Sequence, residues 1–132
     1  MGPVNWLAVV LGALAFFAVG AVWYGALFGK AWQREVGLSD EQLRASNMPL
    51  LFAACFVLEL VVAWMLAHLI ARTSPAPHVI MMFAFGFGAF LMTPAVGINY
   101  LYQRKSLKLF AIDAGHFIVG MVAMGGVFVA LG

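Results

Sequence analysis

Apolar residues run almost unbroken through four stretches of the chain, about 4–28, 48–71, 78–101 and 107–131, and polar residues gather between them. Each run is apolar on every side, with neither the alternation of a half-buried strand nor the polar stripe of a surface helix. A helix needs about 20 residues to cross the hydrocarbon of a bilayer, and backbone groups in lipid must be satisfied within the segment. The pattern therefore predicts four transmembrane helices. Punctuation supports these limits: Asn47 and Pro49 open the second run, Pro75 and Pro77 separate the second from the third, and Ser106 is placed to cap the fourth. In segment 29–47, Ser39 and Gln42 form a capping box, Leu38 and Leu43 a hydrophobic staple, and Asp40 and Glu41 favour the positive end of a helix. A short interfacial helix is expected over about 40–46. The predicted fold is an all-α integral membrane protein, an antiparallel four-helix bundle forming a single domain over residues 1–132.

Inside the runs, Ala8, Leu11, Ala15, Ala18, Val22 and Gly25 recur at the spacing of a left-handed helix seam. Ala21, Gly25 and Gly29, and Ala111 with Gly115, repeat a small-residue pattern that lets helices approach closely. Pro94 is expected to kink the third helix by freeing the carbonyl of Phe90, with Thr93 available to satisfy the backbone.

Composition closes off the other classes. Of 132 residues, 65% are hydrophobic and 9% charged, with mean hydropathy +1.03, against about 45–50% and 25% in soluble domains. Disorder requires the opposite balance, and a single cysteine, Cys55, cannot pair within the chain. Cys55 itself reads as a buried, inert small hydrophobe. The first run is too long, and lacks the basic start, for a cleaved leader, and Trp6 stands where myristoylation requires Ser or Thr. The net charge of +2 is no nucleic-acid signal, because the seven Lys and Arg are divided among short loops. Lys30, Arg34, Arg44, Arg104, Lys105 and Lys108 fall on one side and Arg72 alone on the other. That bias predicts a cytoplasmic basic side and periplasmic termini. Trp6 and Trp64 then mark the outer interface, and Trp23, Tyr24, Trp32, Tyr100 and Tyr102 the inner one.

Five polar side chains interrupt the runs: Glu59, His68, Asn99, Asp113 and His116. His68 and Asn99 fall near the interfaces and read as anchors. From the basic side, Glu59 lies about 17 Å deep, Asp113 about 9 Å and His116 about 13 Å. A charge at the bilayer centre costs at least about 2.5–3.5 kcal/mol, so such residues face the bundle interior and pair. Asp113 and His116, three residues apart, share a helix face, and Lys30 is within reach of Asp113. These groups either lock the register of the helices or form a proton or ion path in which the imidazole changes charge near neutral pH. They have no metal-ligand spacing, and no nucleophile–base pair or phosphate-binding glycine loop is present; no metal or cofactor is expected.

Two stretches in combination, Trp23-Tyr24-Gly25-Ala26-Leu27-Phe28-Gly29-Lys30-Ala31-Trp32, and Asn99-Tyr100-Leu101-Tyr102 followed by Ser106-Leu107-Lys108-Leu109-Phe110 and Ile112-Asp113-Ala114-Gly115-His116, resemble the bacterial membrane-protein family called domain of unknown function 1761. The resemblance extends over nearly the whole chain, including Gly37-Leu38-Ser39. It implies a four-helix inner-membrane protein, supplies no activity, and gathers Trp23, Lys30, Trp32, Asn99, Asp113 and His116 in the cytoplasmic half.

The functional expectation is a small-solute or ion binding or translocating protein using Asp113, His116, Glu59, Lys30 and Asn99, with the lipid bilayer and further copies of itself, or a larger membrane complex, as partners. The alternative is a non-catalytic accessory or scaffold subunit packed on such a complex. An enzyme is least favoured, because no catalytic constellation appears.

Overall fold

A computed structural model describes residues 3–131, which are helical with no strand among them. Helix α1 (Trp6–Val22) starts where the Asn5 side chain accepts from the Ala8 N–H at 3.1 Å, and it continues through a π-helical turn, Trp23–Leu27. After it come α2 (Gly29–Val36) and α3 (Asp40–Ala45), joined through Gly37 at φ 83°. Both bonds of the expected Ser39–Gln42 capping box are present. Helix α4 (Met48–Thr73) is capped by Asn47. Helices α5 (Pro77–Gly86) and α6 (Thr93–Gln103) are joined by a second π-helical turn, Phe87–Met92, and α7 (Leu107–Leu131) completes the chain. Among the described residues four helices are thus long and apolar enough to cross a bilayer: Trp6–Leu27, Met48–Thr73, Pro77–Gln103 and Leu107–Leu131, called spans one to four below. The protein is a helical membrane protein. Helix α2 carries no start signal comparable to that of α3 and is an addition to the elements expected from sequence.

The strain of Pro94 is taken up one turn before the ring. A π-helical turn closes its hydrogen bonds over five residues instead of four, and here the Thr93 hydroxyl donates to the Gly88 carbonyl at 2.7 Å, rather than to that of Phe90.

Span four is the centre of the bundle. It packs on span one at one side and on span three at the other, whereas span two rests on span one. The order across the molecule is therefore two, one, four, three. Close approach depends on missing side chains. A Cβ at Gly120 would sit 2.8 Å from the Phe16 ring, one at Gly125 2.6 Å from Ala84 Cβ, and one at Gly88 2.9 Å from the Ile118 main chain.

The two ends of the bundle differ. At the end away from most basic residues, all four spans meet in one core of Ala8, Val9, Ala13 and Phe16 with Ala63, Leu66, Ala67, Ile80, Ala84, Met121, Met124 and Phe128. Toward the basic end span two touches span one through Phe52 and Phe56, edge-on to Phe17 at 5.9 and 6.1 Å, and its first buried residue is Ala63. The seam expected on span one is displaced. Leu11, Ala18, Val22 and Gly25 are exposed, and the buried stripe is Ala8, Val9, Gly12, Ala13 and Phe16. Heptad spacing suits one narrow contact line, but this helix serves spans two and four together, which needs a wider stripe at spacings of three and four. Cys55 is likewise exposed rather than buried, because it lies on the free half of span two.

Candidate functional site

The basic end is organised by Asp113, the one buried charged side chain among the described residues, at 6% exposure. Helix α7 begins where Ser106 Oγ accepts from the Leu109 N–H at 3.0 Å, and six residues later it presents Asp113 to both neighbouring spans. The Tyr24 hydroxyl of span one donates to Asp113 Oδ1, and the Tyr100 hydroxyl of span three to Oδ2. Beside them, Trp23 Nε1 donates to the Ile112 carbonyl at 2.8 Å. One carboxylate thus ties three spans together.

Local sequence explains this delivery. A π-helical turn turns successive residues less than an α-helix does, so Trp23 and Tyr24 are both directed at α7. Gly115 leaves room for the indole, since a Cβ there would lie 2.8 Å from Trp23 Cζ2. Gly29 lets the chain fold back at the end of the turn, where any side chain would collide with the Tyr24 carbonyl.

His116 lies one turn deeper. Its ring is enclosed by Phe16, Tyr24 and Phe117 at centroid distances of 5.2, 5.0 and 5.1 Å. Its Nε2 is buried without a hydrogen-bond partner and faces Gly20, whose Cβ position would be 3.0 Å away. Glu59 is the other such group. It shares a face of span two with Phe56, Ala63 and Leu66, at spacings of three, four and seven, and its Oε1 is buried and unpartnered. Hydrogen bonds join neither Glu59 nor His116 to Asp113 among the described residues.

The remaining predicted residues lie outside this centre. Lys30 is exposed on α2 and does not hold Asp113, whose oxygens are taken by the two phenols. Asn99 is exposed on α6. Helix α2 itself covers the basic end: Trp32 packs edge-on to Tyr24 at 5.8 Å, and the Ser106 hydroxyl donates to Glu35. Among the described residues no group of three or more His, Cys, Asp or Glu is arranged to hold a metal ion.

Tyr24, Tyr100 and Trp23 are the members that sequence reasoning places only in the interfacial aromatic belt. Depth was the available signal. Tyr24 and Tyr100 each lie three residues from the end of their span and Asp113 six from the start of its own, a difference of about one helical turn that a phenol can bridge.

A family model described as protein of unknown function, DUF1761, matches residues 7–129. No curated protein and no solved structure matches the chain.

Proposed function

The chain belongs to the DUF1761 family, whose description assigns no activity, and we propose from its polar centre that it binds a small solute or ion, the proton being the simplest, within the membrane. His116 and Glu59 are the exchanging groups, and Asp113 is the fixed anchor around which the spans are held. The observation that carries this reading is the pair of buried polar atoms without partners, His116 Nε2 and Glu59 Oε1. In hydrocarbon an unsatisfied polar group costs several kcal/mol, and native structures keep few of them. Atoms left in that condition are ready for a partner that arrives and departs. Four helices enclose little room, so a continuous path would be built from more than one copy.

The test uses purified protein in liposomes with an internal pH-sensitive dye. Wild type is expected to dissipate an imposed proton gradient between about pH 5 and 8, where imidazole changes charge. His116→Gln and Glu59→Gln should abolish the flux while melting close to wild type. Wild-type vesicles that stay tight to protons and also to sodium and potassium would remove the proposal's basis. A second reading, an accessory subunit, is favoured by the bare half of span two, where Leu50, Leu51, Phe52, Val57 and Leu58 are exposed. Its mark would be co-purification in fixed ratio with another membrane protein.

The same reading places the basic end in the cytoplasm of a bacterial inner membrane, with both termini periplasmic, on the strength of the six-to-one division of basic residues. In a Cys55→Ala background, an impermeant maleimide applied to intact cells is expected to label Ser74→Cys and to spare Ser46→Cys. The reverse pattern would invert the orientation.

A further inference from the structure

Helices α2 and α3 form an elbow between spans one and two, at the end of the bundle where six of the seven basic residues lie. The two faces of α2 have separate tasks. Trp32 and Glu35 are turned to the bundle, held by Tyr24 and Ser106. Lys30, Gln33 and Arg34, related by spacings of three and four, lie together on another face. With Leu38 and Asp40 they line an open cleft of about 240 Å³ in the angle of the elbow.

Asp40 is the carboxylate of the cleft lining, and Glu35 lies on the opposite face of α2. Gln33 Nε2 donates to Asp40 Oδ1 at 2.8 Å, and Glu35 accepts from Ser106. The lining thus carries the two positive charges of Lys30 and Arg34 against the one carboxylate of Asp40, an excess of positive charge, and Oδ1 of that carboxylate is turned to the Gln33 amide. The second N–H of Gln33 remains free to donate. A guanidinium, an ammonium and an amide N–H around one cleft make a donor set for a tetrahedral oxyanion, the guanidinium by paired N–H groups and the ammonium as a point charge. The elbow connects two spanning helices at their common end, so the cleft lies at the level of lipid headgroups.

We propose that the α2–α3 elbow binds the phosphate of an anionic phospholipid headgroup through Arg34, Lys30 and Gln33. The site is separate from the Asp113 centre and does not depend on the function proposed for it.

The test is native mass spectrometry of the full chain released from vesicles of equal phosphatidylglycerol and phosphatidylcholine. Wild type is expected to retain phosphatidylglycerol in preference. Lys30→Gln combined with Arg34→Gln should weaken that retention about 30-fold, the equivalent of two basic groups at about 1 kcal/mol each near an anionic surface. Both residues stand clear of the core, so an unchanged melting curve should accompany the loss. The control is Lys105→Gln with Lys108→Gln, an exposed pair at the same end, which should retain the lipid as wild type does. Full retention by the Lys30/Arg34 variant, or an equal loss in the control pair, would overturn the site in favour of diffuse surface charge. Displacement of the lipid by millimolar inorganic phosphate would reassign the cleft to a soluble anion and overturn the lipid assignment.

Discussion

Asp113→Ala is expected to destabilise the folded bundle by about 2–3 kcal/mol, among the largest effects of any single substitution in the chain. Hydrogen bonds to charged groups contribute about 1.5–3 kcal/mol each in water-soluble proteins, whereas interhelical bonds measured in a membrane average about 0.6 and reach about 1.7. Asp113 accepts two, one from each flanking span. Removing it leaves two phenols without their partner and loosens both contacts at once. Tyr24→Phe and Tyr100→Phe should each cost about half as much, and Asp113→Asn, which keeps an acceptor, should fall between the single phenol variants and alanine. The measurement is unfolding in mixed micelles with a double-mutant cycle. Coupling between Asp113→Ala and either phenylalanine change is expected. Strictly additive losses would mean that the carboxylate does not act through the tyrosines.

The second large effect is steric. Gly88→Ala should cost about 1–3 kcal/mol, the usual range for an extra carbon forced into a packed interface. The new methyl would lie 2.9 Å from the Ile118 Cα and 3.1 Å from the Phe117 carbonyl oxygen, which are main-chain atoms that no rotamer change can move. Gly125→Ala should fall in the same range, since Ala84 Cβ would lie 2.6 Å away. Gly25→Ala and Gly126→Ala, where nothing lies within 4 Å of the new carbon, should be neutral or slightly stabilising, because alanine is the better helix former. Four melting curves in one detergent decide the matter. Equal behaviour of all four variants would show that spans three and four do not meet at Gly88 and Gly125.

This contrast also shows what the sequence could and could not convey. The helices themselves were legible, because an all-round apolar run and a local cap are properties of neighbouring residues. Ser39 and Gln42, three positions apart, need no other part of the chain to make their bonds. The faces of the helices were not legible in the same way. In a soluble protein the polar stripe of a helix says which side is outward, but in a bilayer both sides are apolar and that mark is lost. Hence heptad spacing puts the seam of span one on the wrong face, and sequence alone does not separate Gly86 and Gly126, where a new Cβ would meet nothing within 4 Å, from the close-packed Gly88 and Gly125. The polar centre was legible at its costly members, since a carboxylate in hydrocarbon demands a partner. Asp113 named the need without naming Tyr24, 89 residues away, and an ammonium on Lys30 was an equally reasonable partner by charge alone. The amphipathic tyrosines looked like interface residues because at that depth a phenol can serve either purpose.

Span one makes its most extensive contact with span four, and this governs how the protein can be born. Span one leaves the ribosome before spans two and three, and its principal neighbour only after them. At about 5–20 residues per second, the 89 residues separating Tyr24 from Asp113 correspond to roughly 5–20 s of translation. For that interval span one has span two beside it, whose carboxylate, Glu59, is not the one that the Tyr24 hydroxyl meets in the folded bundle. Tyr100, only 13 residues before Asp113, waits about a second. Completion of the carboxylate–phenol junction therefore waits until span four enters the bilayer, and it distinguishes a chain that carries all four spans from one that stopped before the fourth.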